Sequence, residues 1–343
     1  MGERILLLQT SWLGDVVLST PVISALKKIY PHSFLATLTT PLAKPLVQYN
    51  PNVDLALTYD KNGEECSFIS LVKKSRELRK LNFNIAFALQ RSARSALLVY
   101  LSGIKLRVGF ADSSLGWLYN RQAKRPVDKH DVLRNLAIIE PISQDEQNAE
   151  LCLEFPKNFS LSPELLKLLE SEQINLKEKK HYTLAPTSAW KTKQWSTDEY
   201  RRLAKQLTSR GSKIIVIGAL SEYDICQKVT QDLPTLNLAG KTTLLESAYL
   251  IKHSKALVSN DSLATHIASA FKTPNVVIFC ATSPAFGFGP WRNHAIIVEK
   301  EGLSCKPCSR HGGKYCPTGT ESCMKEVYAE QVLAALDQLN LNL

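Results

Sequence analysis

Ile5-Leu6-Leu7-Leu8 is a short uncharged apolar run that leads into a polar turn containing Gly14 and Asp15. Val16–Tyr30 then takes up helical spacing, with Val17, Val22, Ile23 and Leu26 in register and Lys27 and Lys28 near its end. An apolar run without alternation is buried on both faces, so this stretch reads as strand, loop and helix. The pattern recurs: Phe34–Leu38 before a helix through Leu46, Leu55–Thr58 before Ile69–Leu78, and Ile85–Ala88 before Ser92–Leu101. Apolar strands alternating with helices predict a parallel sheet covered on both faces.

The pattern breaks over residues 155–182, and a second series follows. Strands are expected at Tyr182–Ala185, Lys213–Gly218, Ala256–Ser259 and Asn275–Phe279. Helices are expected at Thr197–Arg210, Glu222–Leu233, Leu244–His253 and Ala264–Ala270, with an amphipathic helix, Val327–Leu339, at the end. The predicted organisation is a first Rossmann-like domain over 1–165, a second over 178–324, and a C-terminal helix over 325–343 packing back on the first. In such sheets ligands bind at the carboxyl ends of the strands.

The composition limits the partners. The chain has 343 residues, 42 Lys+Arg against 32 Asp+Glu for a net charge of +10, and 44% hydrophobic positions, within the globular range. No uncharged apolar run approaches the roughly 18 residues of a membrane span, and Asp15 interrupts the N-terminal one, so a cytoplasmic protein is expected. Eight cysteines are too few for a disulfide scaffold at this length. A basic surface suits an anionic partner, but there is no block of like charge and no nucleic-acid motif, which excludes nucleic acid as the leading partner.

Four loops carry the chemistry. Ser11-Trp12-Leu13-Gly14-Asp15 follows the first strand. Asp15 there either caps the helix or serves as a general base. Thr187-Ser188-Ala189-Trp190-Lys191-Thr192-Lys193-Gln194-Trp195 offers two hydroxyls and a lysine to an anionic leaving group, or is a polar loop anchored by Trp195. Asn237-Leu238-Ala239-Gly240-Lys241-Thr242 mimics the end of a P-loop, but position 235 is Thr rather than the required Gly, so a turn opening a helix is expected. Ser259-Asn260-Asp261-Ser262-Leu263-Ala264-Thr265-His266 joins a strand to a helix whose first N–H groups either meet a phosphate or are capped by Asp261 and Ser262. No D-x-D pair is present to hold a metal against a diphosphate.

Taken in order, these motifs resemble glycosyltransferase family 9, the ADP-heptose:lipopolysaccharide heptosyltransferases, over essentially the whole chain, with a heptosyltransferase II-like subgroup nearest. The resemblance implies a GT-B fold, two Rossmann-like domains with parallel sheets facing a central cleft. It implies inverting transfer of a heptose from ADP-heptose to the phosphorylated lipid A–Kdo inner core of lipopolysaccharide, at the cytoplasmic face of the inner membrane. By position, Asp15 matches the base, and Thr187, Ser188 and Lys193 the diphosphate loop. Glu222 matches the ribose contact, and Asp261 and Ser262, with His266 on the same helix, the sugar and phosphate contacts. No catalytic cofactor is implied. Among the basic residues of the first domain (Arg107, Lys124, Arg125 and Lys129 included), Arg91, Arg94, His130 and Arg134 are the acceptor candidates. Competing readings are a GT-B transferase for another sugar nucleotide and a non-catalytic nucleotide-sugar-binding protein.

Cys305-x2-Cys308-x7-Cys316-x6-Cys323 remains. Four thiolates at short spacing suit a structural Zn or Fe, or are ordinary unligated thiols. The segment lies away from the motif residues in sequence, so substituting Cys308 is expected to lower stability more than donor affinity.

Overall fold

The computed structural model describes residues 2–145 and 147–341, which form two compact units, Met1–Lys157 and Asn158–Leu343. The first unit runs β1 (Arg4–Leu8), α1 (Leu13–Ile29), β2 (Phe34–Thr39), β3 (Leu55–Thr58), α2 (Phe68–Lys80), β4 (Ile85–Ala88), α3 (Ala93–Leu101), β5 (Leu106–Phe110), β6 (Arg121–Ala123) and α4 (Asp131–Leu136). All its strands pair in parallel in the order β3-β2-β1-β4-β5-β6. The run Ile5–Leu8 is fully buried because β1 lies between β2 and β4 with side chains covered on both faces.

The second unit runs α5 (Pro163–Ser171), β7 (His181–Ala185), α6 (Thr197–Ser209), β8 (Lys213–Val216), α7 (Tyr223–Thr230), β9 (Leu236–Asn237), α8 (Leu244–Lys252), β10 (Ala256–Asn260), α9 (Leu263–Phe271), β11 (Asn275–Phe279), β12 (Ala295–Glu299), α10 (Ser322–Lys325) and α11 (Ala329–Leu341). Its sheet, β12-β11-β10-β7-β8-β9, has the same topology, with the first strand of the unit between the second and the fourth. In both sheets the strand order reverses beside the unit's first strand, so each β1-type loop opens at the switch point where such sheets take ligands.

Local chemistry sets the helix starts. Ser67, Ser92 and Ser196 each accept a backbone N–H in the first turn of α2, α3 and α6. Thr243 and Glu246 form a reciprocal capping box on α8, preceded by Gly240 at a φ of +73° in the turn. The helix expected after β2 is instead a 3-10 turn, Pro41–Leu46, because Pro41 and Pro45 bring no N–H to an α-helical ladder.

Two expectations are corrected at the domain level. Helix α5 belongs to the second unit, whose boundary falls at 157/158; Glu246 of α8 accepts the Ser162 N–H just before it. The C-terminal helix packs into the second unit's core rather than back on the first domain. Val332, Leu336 and Leu339 join Trp195, Tyr200 and Leu203 there, and Arg210 pairs with Asp337 at 2.8 Å.

Candidate active site

In the first unit, Asp15 occupies the third position of α1 and is partly buried. Ser11 Oγ donates to Asp15 Oδ2, and the Trp12 backbone N–H also donates to the carboxylate, which therefore reaches back to the helix start. Burial pushes the carboxyl up to about 6; the Ser11 hydrogen bond opposes this, the nearby Asp131 adds to it, and the Trp12 N–H and Arg125 oppose it. Such a carboxylate is ionised at pH 7 yet more basic than an ordinary one, the combination a general base needs. Burial also lowers the neighbouring Lys61, with Arg94 acting in the same direction and Asp15 against it.

The acceptor candidates separate by what their side chains already do. Arg94 donates to Tyr59 Oη at 2.6 Å and to the carbonyls of Cys66, Glu65 and Ser67 at 2.7, 2.7 and 2.8 Å, which spends its fork on the loop before α2. Arg134 is only 1% exposed and donates to the carbonyls of Pro126 and Val127, so it braces that loop from inside. His130 Nδ1 accepts the Val132 N–H and caps α4. Arg91 pairs with Asp112 and keeps a partly exposed guanidinium. Arg125, hydrogen-bonded to Asp131, and Lys61 are the cations that act on Asp15.

In the second unit the candidates converge at the carboxyl edge of the sheet. Lys193 Nζ pairs with Asp261 Oδ2 at 2.7 Å, and Thr282 Oγ1, beyond β11, donates to the same oxygen at 2.8 Å. Ser188 Oγ donates to the Asp261 carbonyl at 3.0 Å. Asn260 Oδ1 accepts the Trp195 N–H at 2.9 Å, which ties the loop after β7 to the end of β10. Thr187, Ser188 and Asp261 are each buried. Ser262 sits at the N-cap of α9 without a side-chain cap bond, and Asp261 is engaged with Lys193 and Thr282, so the capping reading does not describe this helix start. His266 is buried within α9. Glu222 lies beyond β8 on the same edge, its Oε2 accepting the Ala219 N–H at 2.7 Å. Thr282 and Asn260 escaped assignment from sequence, although Asn260 stands inside a quoted motif and Thr282 just beyond a strand end.

The Cys-rich segment, distant from these residues in sequence, reaches them in the fold. The Thr192 N–H donates to Gly313 O at 3.1 Å, and the Gly313 N–H donates to Thr192 Oγ1 at 2.8 Å. Burial raises Cys323 to about 11, with Cys308, Cys316 and Cys305 near enough to act on it. A hydrogen bond from Thr318 lowers Cys316 to about 7, assisted by backbone N–H groups of Glu321, Thr318 and Gly319. Among the described residues, no three His, Cys, Asp or Glu side chains stand ready to hold a metal ion.

Two doubly wound parallel sheets, one with a raised carboxyl at its switch point and the other with a lysine–hydroxyl cluster, give the α/β architecture of the GT-B class. The family model described as glycosyltransferase family 9 (heptosyltransferase) matches residues 71–317. The chain therefore belongs to glycosyltransferase family 9 and is a glycosyltransferase. It is 28% identical to lipopolysaccharide heptosyltransferase 3 of Escherichia coli K12, over 95% of each chain. It is 26% identical to lipopolysaccharide heptosyltransferase 2 of the same strain, over 82% of this chain and 84% of that one. Its fold is shared with E. coli ADP-heptose heptosyltransferase II (TM-score 0.78, 22% identity, 99% of both chains). It is also shared with the family 9 glycosyltransferase of Veillonella parvula (TM-score 0.85, 22% identity, 99% of this chain and 98% of that one).

Proposed function

We propose that this protein transfers a heptose from ADP-heptose to the inner core of lipopolysaccharide with inversion at the anomeric carbon. The observation that carries the reading is the pairing of two chemistries on one chain. A partly buried carboxyl raised to about 6 stands at the first sheet's switch point, and a lysine with buried hydroxyls stands at the second's. Binding alone has no use for the first.

In the proposed reaction, Asp15 takes the proton of an acceptor hydroxyl as its oxygen bonds to the anomeric carbon. The bond from that carbon to the β-phosphate oxygen breaks on the opposite side, and its electron pair leaves on ADP. Lys193, Thr187, Ser188, Ser262 and the first N–H groups of α9 stabilise the charge that develops there. Asp261 orients the Lys193 ammonium, whose other N–H groups face the diphosphate. Glu222 is assigned to the ribose and His266 to the donor pocket.

The acceptor is a phosphorylated lipid A–Kdo-type molecule, supported by the net charge of +10 and the exposed guanidinium of Arg91. No helix among the described residues is long and apolar enough to cross a membrane. The enzyme is proposed to work peripherally on the cytoplasmic face of the inner membrane, where each surface cation contributes about 1 kcal/mol near anionic lipid. Cys305, Cys308, Cys316 and Cys323 lie near enough to act on one another, and we propose that they would close around a structural Zn or Fe on binding it; no catalytic step passes through it.

The test is transfer from ADP-heptose by Asp15→Asn. A base contributes on the order of 10²–10⁴ in rate, so that loss is expected with ADP binding intact. Near wild-type turnover, or faster transfer from another sugar nucleotide in a donor panel, would refute the proposal.

A further inference from the structure

Lys193 sits on a 3-10 turn of only three residues, Lys191–Lys193, too short to define its own geometry. The turn is gripped from outside by the Cys-rich segment 121 positions along the chain. Thr192, 4% exposed, exchanges two hydrogen bonds with Gly313: its N–H donates to the Gly313 carbonyl at 3.1 Å, and its hydroxyl accepts the Gly313 N–H at 2.8 Å. The Thr192 carbonyl accepts the Ala281 N–H at 3.2 Å, and the Ala281 carbonyl accepts the Cys308 N–H at 2.9 Å. The segment therefore holds the turn directly at Gly313 and, through Ala281, at Cys308.

Gly312 completes the grip. Its φ is +79°, and a Cβ there would stand 3.0 Å from Lys193 Cγ, 3.2 Å from Trp190 Cβ and 3.3 Å from Thr192 Oγ1. Bare backbone thus lies against the aliphatic stem of Lys193, whose ammonium is 2.7 Å from Asp261. A lysine head on a flexible four-carbon stem is a poor fixed contact unless the stem is held before the ligand arrives.

We propose that Thr192, Gly312 and Gly313 form a positioning strap for Lys193, so that the Cys-rich segment is part of the donor site and sets donor affinity. This rests on the reading of Lys193 as the diphosphate contact. The experiment measures ADP binding by calorimetry and donor and acceptor KM on the full chain. Thr192→Val keeps the shape but removes the acceptor for the Gly313 N–H; a single neutral hydrogen bond corresponds to roughly 3–10-fold. The ADP Kd and donor KM are expected to rise by that factor with acceptor KM unchanged, while Thr192→Ser stays within about twofold of wild type. Gly312→Ala, which intrudes on the lysine stem, is expected to weaken ADP at least as much. In a Lys193→Ala background neither substitution should weaken ADP further, an interaction that a merely structural role would not produce.

Folded Thr192→Val and Gly312→Ala proteins with unchanged ADP affinity, beside a weakened Lys193→Ala, would overturn the strap and leave the donor reading standing. Full ADP affinity in Lys193→Ala would overturn both.

Discussion

Replacing Asp15 with asparagine should make the first unit more stable while removing most of the transfer activity. The fold raises this carboxyl from the ordinary 3.8 to about 6, with burial as the largest cause. A rise of that size corresponds to at most about 3 kcal/mol, and partial exposure brings the expectation to about 1–2 kcal/mol. The direction follows from proton linkage. The folded state binds this proton more tightly than the unfolded chain, so the ionised group costs stability at neutral pH and costs nothing below about 3.8. The cost develops between about 3.8 and 6 and is complete above that. Asp15→Asn, which carries no charge and still offers an acceptor to Ser11, should therefore melt several degrees above wild type at pH 7.5. The two proteins should converge toward pH 4. Thermal melts and urea titrations across pH 4–8, run beside transfer rates, provide the check. A variant less stable than wild type at pH 7.5, or a difference that does not change with pH, would refute the argument. It would show that the charged carboxylate holds the start of α1 and is not strained for catalysis.

The remaining predictions concern groups whose bonding is now defined. Arg94→Lys should loosen residues 59–67, since an ammonium cannot reproduce four bonds from a planar fork; hydrogen exchange of those amides should rise, and unchanged protection would count against it. His181, buried on β7 and pushed down to about 4 chiefly by burial, should destabilise the second unit as pH falls from about 6.5 to 4, by about 3 kcal/mol at the acid end. Urea unfolding at pH 7 and pH 4.5 should show this, and His181→Gln should flatten the slope. Elemental analysis of protein purified without chelators should find about one Zn or Fe per chain, and Cys308→Ser should lose it; EDTA treatment should not abolish transfer, and a loss restored by Mg²⁺ or Mn²⁺ would contradict the metal-free reaction.

The sequence was most legible where burial is symmetrical and least where it is not. β1, β4, β10 and β11 announce themselves because each lies between two strands with both faces covered, so each carries an apolar run, with polar residues only toward the ends. β5, β6, β9 and β12 were missed: Arg107 breaks the run of β5, Arg121 and Gln122 of the edge strand β6 are exposed, β9 is two residues long, and β12, at the other sheet's edge, does carry an apolar run, Ala295–Val298, that the reading passed over. The loop motifs were legible for a topological reason, since a parallel Rossmann sheet delivers every strand-to-helix loop to one edge. Which residues meet there was less so. The C-terminal helix displays an apolar stripe, but a stripe states only that something is covered. Charge is equally ambiguous: Arg94 and Arg134 read as surface cations, yet their forks are spent on loop carbonyls. For Arg134 a clue was present, because Pro126 contributes no N–H and leaves its loop short of donors, a deficit that a buried guanidinium fills. The contact between Thr192 and Gly313 had no such trace. It depends on a glycine-rich segment without periodicity and on one hydroxyl, and only the folded chain brings them together.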